Sequence, residues 1–272
     1  MQRGFIRTSA GQLHALEAGR GEPVVMMQTL PLGSTQLEPL LTDLGADYRC
    51  IAIDLMGYAP SDLRSRAWSV REYADNILEA CDALGLGRFR LLGGHLSGLV
   101  AADIAARHPE RLVQLVLDGV YAWTAEEQQP YRAGSGSGAH DWGAGGEPLA
   151  RRWDFFLSLL RRFDPALAFT DANAARLARL GLAFLSLPVS PASMETTFEY
   201  DLLAVLPQIR TPTLLMRSPT DSLARFNARA LSLLPNAREH AFEGVNPLQQ
   251  VARPERIGEY AAVLRGFFQT GA

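Results

Sequence analysis

Five histidines, two cysteines and a scatter of carboxylates are the side chains here that could hold a metal, carry a covalent intermediate or move a proton near neutrality. Their spacing excludes several chemistries. No cluster has the short repeats of a metal site and the glycines follow no dinucleotide fingerprint, so neither a metal nor another cofactor is expected. Cys50 lies in a predicted strand and Cys81 in a predicted helix, and both read as buried free thiols rather than nucleophiles. His14 and His240 fall on predicted strands, and His108 on a helix end, RHPER. His140 stands beside Trp142 in a glycine-rich stretch, either as a solvated loop residue or as a group that dips into a cleft. His95 sits in GGHLSG, between a predicted strand and a predicted helix.

The elements that would position these groups alternate. Short apolar runs bounded by turn residues predict strands at 13–17, 24–28, 49–53, 88–92, 112–117, 213–217 and 238–242, with helices near 37–44, 70–84, 97–107, 224–234 and 256–268. That is the pattern of βαβ units around a mostly parallel central sheet flanked by helices, an α/β fold. Residues 121–206 break the alternation, with a GSGSGAHDWGAGG stretch followed by helical text and no strand. They read as a helical cap inserted into a core formed by 1–120 and 207–272, placed over the strand ends where open α/β sheets bind ligands. Its aromatics, Trp123, Trp142, Trp153, Phe155 and Phe156, point to an apolar substrate beneath a lid.

With 272 residues, 47% of them apolar, the chain can bury one substantial core. A net charge of −3 with scattered Lys and Arg excludes a phosphate-binding face, so no nucleic acid is expected. No stretch reaches the ~20 apolar residues of a membrane helix and the start lacks a secretory pattern, so the expectation is a cytoplasmic protein without a membrane partner. A homodimer is compatible with the chain.

Three stretches together resemble the α/β-hydrolase superfamily. VVMMQTLPLGS is similar to its strand followed by His-Gly-x-Pro, CIAIDLMGYAPSD to its Asp-x-x-Gly-x-Gly-x-Ser-Asp turn, and RLLGGHLSGLVAADIAARHPERLVQLVLDG to its nucleophile elbow with the flanking helix and strand. PTLLMRSPTDSL and EGVNPLQQVARPERI extend the likeness over nearly all of the chain outside the cap. The resemblance implies an α/β-hydrolase fold, with His95 in the nucleophile slot of Gly93-Gly94-His95-Leu96-Ser97. It also implies Asp221 as the acid, and Val245-Asn246-Pro247 where the family carries its histidine base, Asn246 being the nearest replacement. An alternative register makes Ser97 the nucleophile, at the expense of a two-residue shift; Ser97 otherwise reads as an early-helix cap. The usual His-Gly of the oxyanion loop becomes Gln28-Thr29, leaving the N–H groups of Leu30 and Leu96, with Gln28, Thr29 and Asn246, around a substrate oxygen.

Serine-type acyl transfer needs a nucleophile, a base and an acid, and the first two are missing from their usual places. An imidazole on the elbow is long enough to reach Asp221 and form a His-Asp dyad, with the other ring nitrogen left as a base near its ordinary pKa of about 6.5. The expectation is a cofactor-independent lyase acting on an apolar carbonyl-bearing small molecule. Enzymes of tetronate polyketide pathways that resemble this superfamily eliminate acetate from an O-acetylated intermediate, a reaction that suits such a base. The alternatives are an esterase or thioesterase through Ser97 or a covalent His95, and a non-catalytic small-molecule-binding protein.

Overall fold

The strand beginning at Pro23 reads PVVMM, apolar at every position, because both of its faces are covered. Val25 and Met27 enter one buried cluster, and Val24 and Met26 another on the opposite side. The computed structural model describes residues 1–28, 32–58, 60–135, 147–165, 167–186, 191–251 and 253–270. Its strands are β1 (Gln2–Thr8), β2 (Gly11–Ala18), β3 (Pro23–Met27), β4 (Arg49–Ile53), β5 (Phe89–Gly94), β6 (Leu112–Asp118), β7 (Thr213–Arg217) and β8 (Ala237–Ala241). They form one sheet in the order β1-β2-β4-β3-β5-β6-β7-β8. β1 pairs antiparallel with β2 and β2 with β4, while every other pairing is parallel. The fold is that of an α/β hydrolase, as the sequence implied.

Helices α2 (Val70–Ala83) and α3 (Leu96–Arg107) cover one face through residues such as Tyr73, Ile77, Leu99 and Ile104. Helices α1 (Glu38–Leu44) and α10 (Ile257–Phe268) cover the other through Leu40, Leu44, Tyr260 and Leu264. α2 starts where the sequence places it because Ser69 and Glu72 form a reciprocal capping box. α9 (Asn227–Leu233) links β7 to β8.

Between β6 and β7 lie α4 (Ala125–Ser135), α5 (Glu147–Phe163), α6 (Ala174–Leu185), α7 (Pro191–Glu199) and α8 (Leu202–Val205). α5 and α6 bury Phe156, Leu160, Phe163, Leu177, Leu180 and Phe184 against Leu32 and Val251, side chains of loops at the sheet's edge. The aromatics of this region do not share one task. Phe155 is exposed and Phe156 is spent in the packing of α5 on α6, whereas Trp123 is buried beside Tyr121 and stacked on Phe198 at 5.5 Å. Trp142 and His140 lie outside the described residues.

Candidate active site

β5 ends in two glycines, and the chain must then reverse into α3. His95 makes that turn at φ 54°, ψ −124°, and is the single non-glycine residue with positive φ among those described. Such a backbone costs of order 1–3 kcal/mol and is tolerated where the surroundings over-determine it. Here its N–H donates to the Gly119 carbonyl at 2.9 Å, and its own carbonyl accepts from the Gly98 and Leu99 amides that open α3.

Ser97 secures the other side of the turn. Its hydroxyl accepts from the Gly94 N–H at 2.9 Å and lies 2.6 Å from the Gln28 carbonyl and 3.0 Å from that of Gly94. It is 1% exposed. The hydroxyl therefore ties the end of β3 to the end of β5, and the alternative of a Ser97 nucleophile does not fit this placement.

The imidazole of His95 reaches Asp221, as the length argument anticipates: Nε2 lies 2.8 Å from Oδ2. Asp221 Oδ2 also accepts from Gln249 Nε2 at 2.9 Å, and Oδ1 from the Leu223 N–H at 2.8 Å. Burial alone would raise the Asp221 pKa, but the His95 charge and hydrogen bond and the other donors hold it at about 2. A carboxylate only accepts, so the shared proton belongs to Nε2 and the neutral ring keeps Nδ1 as its acceptor. Nδ1 has no hydrogen-bond partner among the described residues, and the His95 side chain is 23% exposed. Burial pulls the His95 pKa down, the Asp221 charge and hydrogen bond and the more distant Asp118 push it up, and Arg162 pushes it down. The net direction is upward.

Gly119, absent from the sequence-derived set, makes the reach feasible. At φ +78° it favours glycine, and a Cβ built there would stand 2.6 Å from His95 Cδ2, 2.7 Å from Nε2 and 3.0 Å from Asp221 Oδ2. The ring lies directly on the bare backbone. Tyr121, two residues on, meets the imidazole edge-on with centroids 6.1 Å apart. Gln249 is the other residue that sequence reasoning missed; two adjacent glutamines in a short turn carry no local signal of a partner 28 positions earlier.

Asn246 corrects an expectation. Rather than lining a substrate oxygen it is fully buried, donating through Nδ2 to both oxygens of Asp118 at 2.9 and 2.8 Å and accepting from the Leu248 N–H at 2.9 Å. Tyr260 Oη donates to the same Asp118 at 2.9 Å. Burial leads in raising the Asp118 pKa to about 6, with the Asp221 charge adding to it against the bonds from Asn246 and Tyr260. In place of a base, the turn before α10 holds a strut that sets Gln249 against Asp221.

Gln28 sits at the end of β3 beside the elbow, nearly buried, with Oε1 unpartnered. Leu96 opens α3, whose first-turn N–H groups have no carbonyl within the helix and can receive negative charge. Thr29 and Leu30 lie outside the described residues. A second His-Asp pair, His14 Nδ1 and Asp54 Oδ2 at 2.7 Å, is sealed in the core with Ser34 and serves packing. Cys50 and Cys81 are buried free thiols, each pushed up to about 12 by burial. Among the described residues no three His, Cys, Asp or Glu gather in a metal-ligating group, and no helix is long and apolar enough to cross a membrane.

Comparison with known proteins agrees with this geometry. A family model for the alpha/beta hydrolase fold matches residues 22–254. A putative carbamate hydrolase RutD of Stutzerimonas stutzeri is 31% identical over 212 residues, 74% of this chain and 75% of that protein. Haloalkane dehalogenase 2 of Mycobacterium tuberculosis is 28% identical over 120 residues, 44% of this chain and 42% of the dehalogenase's length. In fold, the chain is similar to a hydrolase from Pseudomonas aeruginosa PA01, with TM-score 0.75, 20% identity and 98% of both chains covered. It is likewise similar to the enol-lactonase from Burkholderia xenovorans LB400, with TM-score 0.73, 18% identity, and 97% and 99% covered.

Proposed function

The chain is an enzyme that belongs to the α/β-hydrolase fold family, and we propose that within it the protein is a cofactor-independent lyase with His95 as general base and Asp221 as the partner that fixes its tautomer. One observation carries this reading: Nε2 of His95 is committed to Asp221 at 2.8 Å while Nδ1 is left without a partner among the described residues. Nδ1 is bonded to Cγ, so the basic atom sits close to where a short nucleophile on the same turn would present its own reacting atom.

Nδ1 takes a proton from the carbon next to a carbonyl, the C–H electrons form a C=C bond, and a C–O bond to a carboxylate leaving group breaks. The raised imidazolium is stabilised by Asp221, and charge on the departing carboxylate or the enolate faces the first-turn N–H groups of α3 at Leu96. Release of the leaving group returns the proton to solvent. Loss of acetate from an O-acetylated polyketide intermediate is a reaction of this kind, on an apolar carbonyl-bearing small molecule without a cofactor.

The printed names of the relatives, a carbamate hydrolase and a dehalogenase, favour a second reading in which Nδ1 activates water for hydrolysis. Both readings require His95, and isotopes separate them. Elimination gives a primary kinetic isotope effect with substrate deuterated next to the carbonyl, whereas hydrolysis places ¹⁸O from water in the product. His95→Ala abolishes turnover and leaves ligand affinity largely intact; a variant with full activity refutes both.

A further inference from the structure

The turn after β4 brings a second group of polar side chains to the sheet edge that carries the site. Arg64 runs back over Gly57, where a Cβ would meet its Nε, Cδ and Cγ, and its guanidinium lies over the Tyr73 ring, 5.3 Å from the centroid. Nε and Nη1 of Arg64 and the hydroxyl of Tyr73 are all buried, and none has a hydrogen-bond partner. Tyr73 is 1% exposed, while Arg64 as a whole stays partly open. The nearby carboxylates are otherwise engaged: Glu72 pairs with Arg66 and caps α2, and Asp62 accepts from the Gln12 amide at 2.8 Å.

Three donors gathered without an acceptor are costly unless something supplies one. We infer that Arg64 and Tyr73 form a binding subsite for a carboxylate on the substrate. The guanidinium fork matches the two oxygens of a carboxylate, and one unpaired cation neutralises one negative charge, which fits a carboxylate better than a doubly charged phosphate. The subsite adjoins the cleft through Tyr58, which packs against both the sheet-side cluster and the cluster formed by α5 and α6. Arg64's charge reaches the Tyr58 phenol, opposing the rise that burial causes. The inference rests on the lyase reading for the identity of the reacting centre: the substrate is then a carbonyl compound held at a distance from His95 by an acidic end.

Succinate, dimethyl succinate and inorganic phosphate, titrated into the full chain by calorimetry, test this without turnover. Succinate is expected to bind, with the diester and phosphate at least tenfold weaker. Arg64→Gln lowers succinate affinity about tenfold or more, Tyr73→Phe by several-fold, and Arg64→Lys by less than Arg64→Gln. Unchanged melting of the unliganded variants separates loss of the site from loss of the fold. His95→Ala keeps succinate binding, so failure of the His95 reading and failure of this one appear in different experiments. Absence of succinate binding to the parent protein, equal binding of phosphate, or full binding by Arg64→Gln overturns the subsite.

Discussion

Gly119→Ala is the most informative single change, because two separable penalties meet at one atom. The first is conformational: φ +78° is a region that a side chain disfavours by about 1–2 kcal/mol. The second is steric and acts through the dyad, since the new methyl would stand 2.6 Å and 2.7 Å from two atoms of the His95 ring. Overpacking of that severity costs about 1–3 kcal/mol, so the variant should lose roughly 2–5 kcal/mol in urea denaturation. In a His95→Ala background the ring is gone, leaving the φ penalty and the contact with Asp221 Oδ2 at 3.0 Å. The double-mutant cycle should then show a coupling of about 1–3 kcal/mol between positions 119 and 95. The imidazole itself gives a second readout. Once pushed off Asp221 it loses the interactions that outweigh burial, so its pKa, followed by NMR, falls rather than rises. Additive energies in the two backgrounds together with an unmoved His95 titration would refute the claim that the ring rests on Gly119.

Arg162→Ala removes a charge that depresses the His95 pKa, so that pKa moves further up. The base must be neutral to act, so the acid limb of the pH–rate profile shifts to higher pH, and the shift shrinks in high salt. Ser97→Ala leaves the Gly94 N–H and Gln28 carbonyl without their partner, for a loss of about 1–3 kcal/mol in stability. A fluorophosphonate probe leaves Ser97 unlabelled in the parent protein; labelling there would restore the serine-nucleophile reading.

How much of this was legible beforehand depended on how local each cause is. The predicted strands at 49–53 and 213–217 coincide with β4 and β7, because buried parallel strands advertise themselves as short apolar runs. β1 went unrecognised because QRGFIRT shows only two buried positions, Ile6 and Thr8; a strand at the sheet's edge needs little apolar surface and draws its order from pairing with β2. In the site, His95 and Asp221 were readable as motif positions, but Gly119 was not, since its role is to vacate space for a ring 24 residues away. Its nearest sequence signal is a glycine closing a strand, as many loops have. Asn246 was misread for the opposite reason. Its place in a motif suggested the cleft, whereas its partner, Asp118, lies 128 residues earlier and no spacing rule connects them.

These corrections bear on how the fold accommodates a displaced base. Moving the imidazole to the elbow leaves a buried acid that still needs more than one donor, and Gln249 supplies the second at 2.9 Å on the same Asp221 oxygen as His95. Gln249 can do so because the turn that carries it is fixed by Asn246 on Asp118, with the Asn246 amide also donating to Ser218 Oγ at 3.2 Å. The residue standing where the family carries its base therefore serves Asp221 indirectly, through the turn, rather than by proton transfer. That division also orients the ring. With Nε2 engaged toward the acid, the open nitrogen is the one nearer the backbone, close to the first-turn amides of α3. A proton acceptor and a site for negative charge then lie side by side on one turn, an arrangement suited to drawing a proton from carbon beside a polarised carbonyl.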